Sequence, residues 1–137
     1  MLYVGHHGGT DRAPEPVNPL TGVAEFNGTS ILDVTDPHAP RYLAHIPGEE
    51  GLGEAGGAQM VRVCSGRELP HGDRAEFYLL RTFGNSSQEI WDVGDPAKPR
   101  LVTRIGRLQG HAQELVGMRH RHRLPRLRRR RLAHATA

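Results

Sequence analysis

A single cysteine, Cys64, stands in the 137 residues, which excludes an internal disulfide framework and a four-thiolate zinc site. Aromatic side chains are scarce, at 5% of the chain, and Lys98 is the only lysine beside 17 arginines. No apolar run reaches the roughly 18 residues that a membrane-spanning helix needs. The first residues also lack the basic n-region and apolar h-region of a signal peptide, so nothing reads as an export signal. Localisation stays open on this reading, with export allowed if the native start lies upstream of Met1. What the chain has in quantity is 17 Gly and 10 Pro, which favours an all-β fold rich in turns over a helical bundle. The length suffices for one ordinary domain.

A repeat organises the chain. Residues 30–46 (SILDVTDPHAPRYLAHI) and 89–105 (EIWDVGDPAKPRLVTRI) match at an offset of 59. Ile31 pairs with Ile90, Asp33 with Asp92, Val34 with Val93, Asp36 with Asp95, Pro37 with Pro96, Pro40 with Pro99, Arg41 with Arg100, and Ile46 with Ile105. Each copy opens on an apolar, β-branched run that suits a buried strand. The Asp-Pro pair then stops it, the aspartate capping a turn and the proline presetting φ. A second proline stands where the returning strand begins, and R-Y-L-A-H-I or R-L-V-T-R-I follows with near-alternating polarity. Tyr42, Ala44 and Ile46, like Leu101, Thr103 and Ile105, are expected on one side of that strand. The unit predicts a β-hairpin, with Asp33 and Asp92 serving the turn rather than a ligand.

The D-V-x-D-P-x-x-P core between two apolar strands resembles the LVIVD repeat of bacterial and archaeal β-propeller proteins, over residues 1–106. The resemblance implies that each repeat supplies the outer strands of a propeller blade, and it implies no assigned molecular function. Four strands are expected across residues 58–106, enough for one blade. Only three are expected in the first unit, near residues 2–5, 29–35 and 41–47, so its innermost strand is missing. The fold expected is all-β, a partial β-propeller of about one and three-quarter four-stranded antiparallel blades, followed by a disordered or irregular basic C-terminal tail.

Between Gly5 and Asn27 the first unit carries a long insertion of Gly, Pro and polar residues, the kind of loop in which scaffolds meet ligands. His6, His7 and Asp11 in it could contribute to a metal site, since imidazole and carboxylate suit zinc, iron or copper. Adjacent histidines point to opposite faces of a strand, however, and no HxH or HxxxH spacing completes the set. An exposed loop is the competing reading, in which no cofactor is bound. A metal-dependent oxidoreductase or hydrolase completed by blades absent here is the enzyme alternative, and no catalytic residue is assigned. Residues 47–57 (PGEEGLGEAGG) read as an acidic glycine-rich linker without a phosphate-cradling GxGxxG. Cys64, between apolar strand residues, reads as a small buried hydrophobe. Neither Ser65 nor Ser86 lies in a G-x-S-x-G elbow, and Asn85 in the turn 84–87 suits a positive φ.

Charge divides the chain sharply. Residues 1–106 carry 9 Lys and Arg against 14 Asp and Glu, net −5, whereas residues 107–137 carry 9 Arg and one Glu, net +8. At face value Arg119–Arg131 could bind nucleic acid nonspecifically through phosphates or act as a localisation signal. A third reading accounts for more. Arginine-rich, lysine-poor usage is that of a G+C-rich gene, and a shift of one base near the Gly110 codon allows an aromatic, apolar continuation in place of the tail. The tail is therefore expected to be an out-of-frame translation without a selected role, leaving a truncated scaffold or binding protein whose ligand or protein partner is unknown.

Overall fold

The structure, a computed structural model, describes residues 1–106. The Arg-rich stretch 107–137, with the frame shift and the nucleic-acid contacts expected of it, lies outside the described residues. Two antiparallel sheets make up the fold. The first has three strands in the order β1 (Leu2–Gly5), β2 (Thr29–Asp33) and β3 (Arg41–Ile46). The second has four, in the order β4 (Val61–Ser65), β5 (Phe77–Phe83), β6 (Ser87–Asp92) and β7 (Arg100–Gly106). Within each sheet every strand pairs with its neighbour in sequence, so each is a simple meander. Among the described residues, no helix is long and apolar enough to cross a membrane.

The sequence repeat is a repeat of register. Leu2, Tyr3 and Val4 of β1 face Leu32, Ile31 and Ser30 of β2. In the second sheet Leu79, Leu80 and Arg81 of β5 face Trp91, Ile90 and Glu89 of β6 in the same arrangement. Both hairpins also slip at the same step. Ile31 pairs with Ala44 but Leu32 with Tyr42; Ile90 pairs with Thr103 but Trp91 with Leu101. Leu43 and Val102 are thus extra residues, bulges that bend the strand and reset its alternation. The expectation that Tyr42 and Leu101 share a face with Ile46 and Ile105 is corrected by this slip. Each instead joins its cross-strand partner, Leu32 or Trp91, on the opposite face.

The hairpin turns are built twice from the same parts. Asp33 accepts hydrogen bonds from the Thr35 backbone N–H and hydroxyl, at 2.9 and 2.6 Å, and pairs with Arg41 across the hairpin. Asp92 accepts from the Gly94 N–H at 2.9 Å and holds Arg100 at 2.6 Å. One residue further, Asp36 and Asp95 cap the N–H groups of His38 and Ala97. Because Asp33 already folds the chain over Thr35, β2 ends there and not at residue 35. In the turn 84–87 the left-handed conformation falls on Gly84 (φ 51), where no Cβ opposes it.

The two sheets bury a common core. Ile31, Ala44 and Ile46 of the first pack against Leu79 and Val93 of the second, with Tyr3, Leu43, Val61 and Trp91 at the margin. Alternation places Ile31 and Ala44, directly opposite each other, on the face of the first sheet that meets the second. Leu79 and Trp91, likewise opposite, form the answering face.

Candidate functional site

The insertion expected to carry ligand chemistry folds onto the segment expected to be a linker. Gly8 donates to the carbonyls of Gly53 and Gly56, Gly53 donates to Gly9, and Ala58 donates to His6. Gly57 sits at the crossing with φ +77, where a Cβ would collide with the His6 carbonyl oxygen and the His7 carbonyl carbon. Glycine is required there on both counts. The acidic glycine-rich stretch is therefore a seat for the insertion. Between the two lies an open cleft of about 390 Å³ lined by Asp11, Pro14, Phe26, Glu50, Gly51 and Leu52.

Beneath Phe26 runs a chain of polar side chains. His45 Nε2 lies 3.2 Å from the Phe26 carbonyl oxygen, which can only accept, so the proton sits on Nε2. Its Nδ1 then accepts from the Tyr42 hydroxyl at 3.5 Å. Tyr42 in turn accepts from Ser30, and Ser30 from His6 Nε2 at 2.8 Å. Glu25, held by Asn18 at 3.0 Å, stands 3.9 Å from His45 Nε2. The Ser30 hydroxyl is buried and committed in both directions, so it is no nucleophile despite the neighbouring imidazole. Burial, and secondarily repulsion from His45 whenever that ring is protonated too, hold the His6 imidazole below its ordinary pKa. This chain fixes the base of the insertion on the first sheet.

At the corresponding positions the second sheet carries a different device. Val4, Ser30, Leu32 and His45 are replaced by Arg81, Glu89, Trp91 and Arg104. Arg81 and Glu89 are fully buried and 2.7 Å apart. Arg81 Nη1 and Nη2 also donate to the carbonyls of Ile46 and Pro47, at 2.9 and 2.6 Å, tying the second sheet to the end of β3. Trp91 Nε1 and Arg104 Nε each donate to Glu89 at 2.8 Å. Burial pushes the Glu89 carboxyl up, but the bonds from Trp91, Arg81 and Arg104 outweigh it and leave the carboxyl below its ordinary value. Burial also pulls the Arg81 guanidinium below its usual value, against the attraction of Glu89. A buried pair with both members satisfied this way fixes geometry rather than performing chemistry.

The three metal-ligand candidates are dispersed. His6 is spent on Ser30, His7 is exposed beside Gly57, and Asp11 is exposed on the cleft rim. Among the described residues no three side chains of His, Cys, Asp or Glu are gathered as a metal site would need. Cys64 is half-buried, less enclosed than its strand setting implied, and burial with the charge of Glu68 pushes its thiol up, away from thiolate chemistry. Sequence reasoning missed His45, Arg81 and Glu89. A signal existed for Glu89 alone: at the offset of 59 it puts a charge where the first repeat has Ser30, at the start of an apolar strand. No family model, curated protein or solved structure matches the chain.

Proposed function

We propose that residues 1–106 are neighbouring blades of a β-propeller of the LVIVD-repeat kind, and that the chain is a noncatalytic binding scaffold. The observation that carries the reading is the double hairpin: the same turn bonds, the same register and the same bulge recur 59 residues apart. Sheets built alike and packed face to face suit a radial array. The binding surface is the cleft between the insertion and residues 49–57, where the insertion distinguishes one repeat from the other. Its rim pairs two carboxylates, Asp11 and Glu50, with the apolar surfaces of Pro14, Phe26 and Leu52. Such sites hold small molecules by apolar contact and orient them by a few polar groups.

Fragment screening by two-dimensional amide NMR on the full chain tests the reading. Binders should shift the amides of Asp11, Phe26 and residues 50–52 together, and Phe26→Ala should weaken them. Fragments that bind only elsewhere, or turnover of any of them, would sink it.

A further inference from the structure

The net charge of the described residues is gathered in one place. With histidine neutral, residues 1–106 carry 14 acids against 9 bases, and the two segments that wall the cleft, 6–27 and 47–57, hold the whole excess. Asp11, Glu15, Glu25, Glu49, Glu50 and Glu54 stand there against Arg12 alone. The remaining described residues balance, at 8 acids and 8 bases. Between its matching strands the second sheet has only the turn 84–87, so the hairpin scaffold repeats without this charge.

Two of those carboxylates stand on the cleft itself. Asp11 and Glu50 are exposed on its rim beside the apolar surfaces of Pro14, Phe26 and Leu52, and neither Lys nor Arg lines it. The ion pairs of the described residues engage Glu25, Asp33, Glu89 and Asp92, and leave Asp11, Glu50 and Arg12 outside them. Carboxylates that serve this fold are known by their bonds: Asp33 and Asp92 hold turns, and Glu89 takes three donors. Among the described residues Asp11 and Glu50 have no such part. A cleft lined by one sign of charge concentrates ions of the other, and an aromatic ring attracts a cation placed over its face.

We infer that the cleft binds a small organic ammonium ion, an amine protonated at neutral pH that carries an apolar body. The ammonium group pairs with Asp11 and Glu50, and the body lies against Pro14, Phe26 and Leu52. The volume of about 390 Å³ suits an occupant of that size. An anion would meet two carboxylates and no counter-charge, and a neutral molecule would leave both carboxylates unused. A bare metal ion fits less well: among the described residues no three His, Cys, Asp or Glu side chains are gathered to hold one, and apolar walls offer it nothing. The inference rests on the cleft being the binding surface and adds the charge of what it binds.

Amide NMR titrations of the full chain with phenethylamine, phenethyl alcohol and phenylpropanoate test it, in about 0.15 M salt to screen remote charges. The three probes share a shape and differ in charge. The amine should bind at Asp11, Phe26 and residues 50–52 about tenfold more tightly than the alcohol, with the carboxylate weakest. Asp11→Asn with Glu50→Gln should abolish that preference and leave the alcohol's affinity unchanged; should the double variant fail to fold, each single substitution carries part of the loss. Glu15→Gln removes a charge from the insertion outside the cleft lining and should keep most of the preference. An alcohol or carboxylate that binds the cleft as well as the amine does overturns the inference and leaves the cleft a binding surface. Three probes that leave the cleft amides unmoved overturn it too, and fragments of the wider screen that bind only elsewhere remove the cleft reading itself. The inference is equally overturned by a preference that Glu15→Gln lowers as far as the double variant does, or by one that emerges only after removal of residues 107–137.

Discussion

The guanidinium of Arg81 leaves its own sheet to reach the carbonyl oxygen of Ile46 at the end of β3, 2.9 Å away, while its Nε stays bonded to Glu89 at 2.8 Å. One side chain thus satisfies a buried carboxylate and the last carbonyls of a neighbouring strand. Arg81→Met should cost about 3–5 kcal/mol, since it leaves Glu89 without its fully buried counter-charge and frees the carbonyls of Ile46 and Pro47. Arg81→Met with Glu89→Leu should recover part of that loss, because the double variant removes the stranded charge as well. A double-mutant cycle by urea unfolding measures the coupling. Additive costs would show that Arg104 and Trp91 alone suffice to hold Glu89.

Asp33 and Asp92 do the same work in the two repeats and should respond alike. Hydrogen bonds from Thr35, then the Arg41 pair, hold the Asp33 carboxyl far below the usual carboxylate range. The Gly94 N–H, then Arg100, lower that of Asp92. Asp→Ala at either position should lower Tm, and Asp→Asn should lower it less, because the amide oxygen still caps the turn while the ion pair is lost. Both carboxyls have depressed folded-state pKa values, so their contribution is present above the unfolded carboxylate range and vanishes as pH falls through the folded values. Thermal melts of the four variants at neutral and acidic pH check this. A loss from Asp33→Ala with none from Asp92→Ala would break the equivalence.

The hairpins were legible because their determinants are local: Asp-Pro turns, β-branched runs and a fixed offset. The strands accordingly fall close to where the pattern puts them, with the ends of β2 and β3 shortened, β4 one residue later and β5 running on to Phe83. The bulges at Leu43 and Val102 were not legible, though the imperfect alternation of R-Y-L-A-H-I was their trace. Long-range partners were hidden altogether. An arginine in L-L-R-T-F reads as a surface residue until the sheet facing it is known. Likewise His45 reads as the polar half of an alternation until Tyr42 and the Phe26 carbonyl bracket it. For the glycine-rich residues 47–57, composition suggested a linker and said nothing of the insertion that the glycines accommodate.

Gly57 combines, in that accommodation, a positive φ with close backbone contact to the insertion. Gly57→Ala adds a Cβ at φ +77 against the carbonyl groups of His6 and His7. It should cost at least about 1–3 kcal/mol, with the loss localised to the insertion. Amide hydrogen exchange should speed at Gly8, Gly53 and Ala58, whose bonds join the two segments, while β5 and β6 stay protected. Uniform loss of protection across both sheets would mean that the insertion is integral to the core.

His6 offers a test at milder pH. Its imidazole donates to Ser30 inside the polar chain, and burial, then the nearness of His45, keep its pKa below the ordinary value. A histidine depressed in the folded state binds a proton more readily when unfolded, so stability is full above about pH 6.5 and falls as pH drops from there toward the folded pKa. His6→Gln retains a donor for Ser30 but cannot titrate. Urea unfolding across this range should therefore show a decline in the parent that is shallower in the variant, with the two curves converging in slope above neutrality. Histidines remote from His6 contribute to both curves and drop out of the difference, whereas His45 is coupled to it. A difference that changes the other way, with the parent gaining stability over His6→Gln as pH falls, would show that the fold favours the charged form of His6.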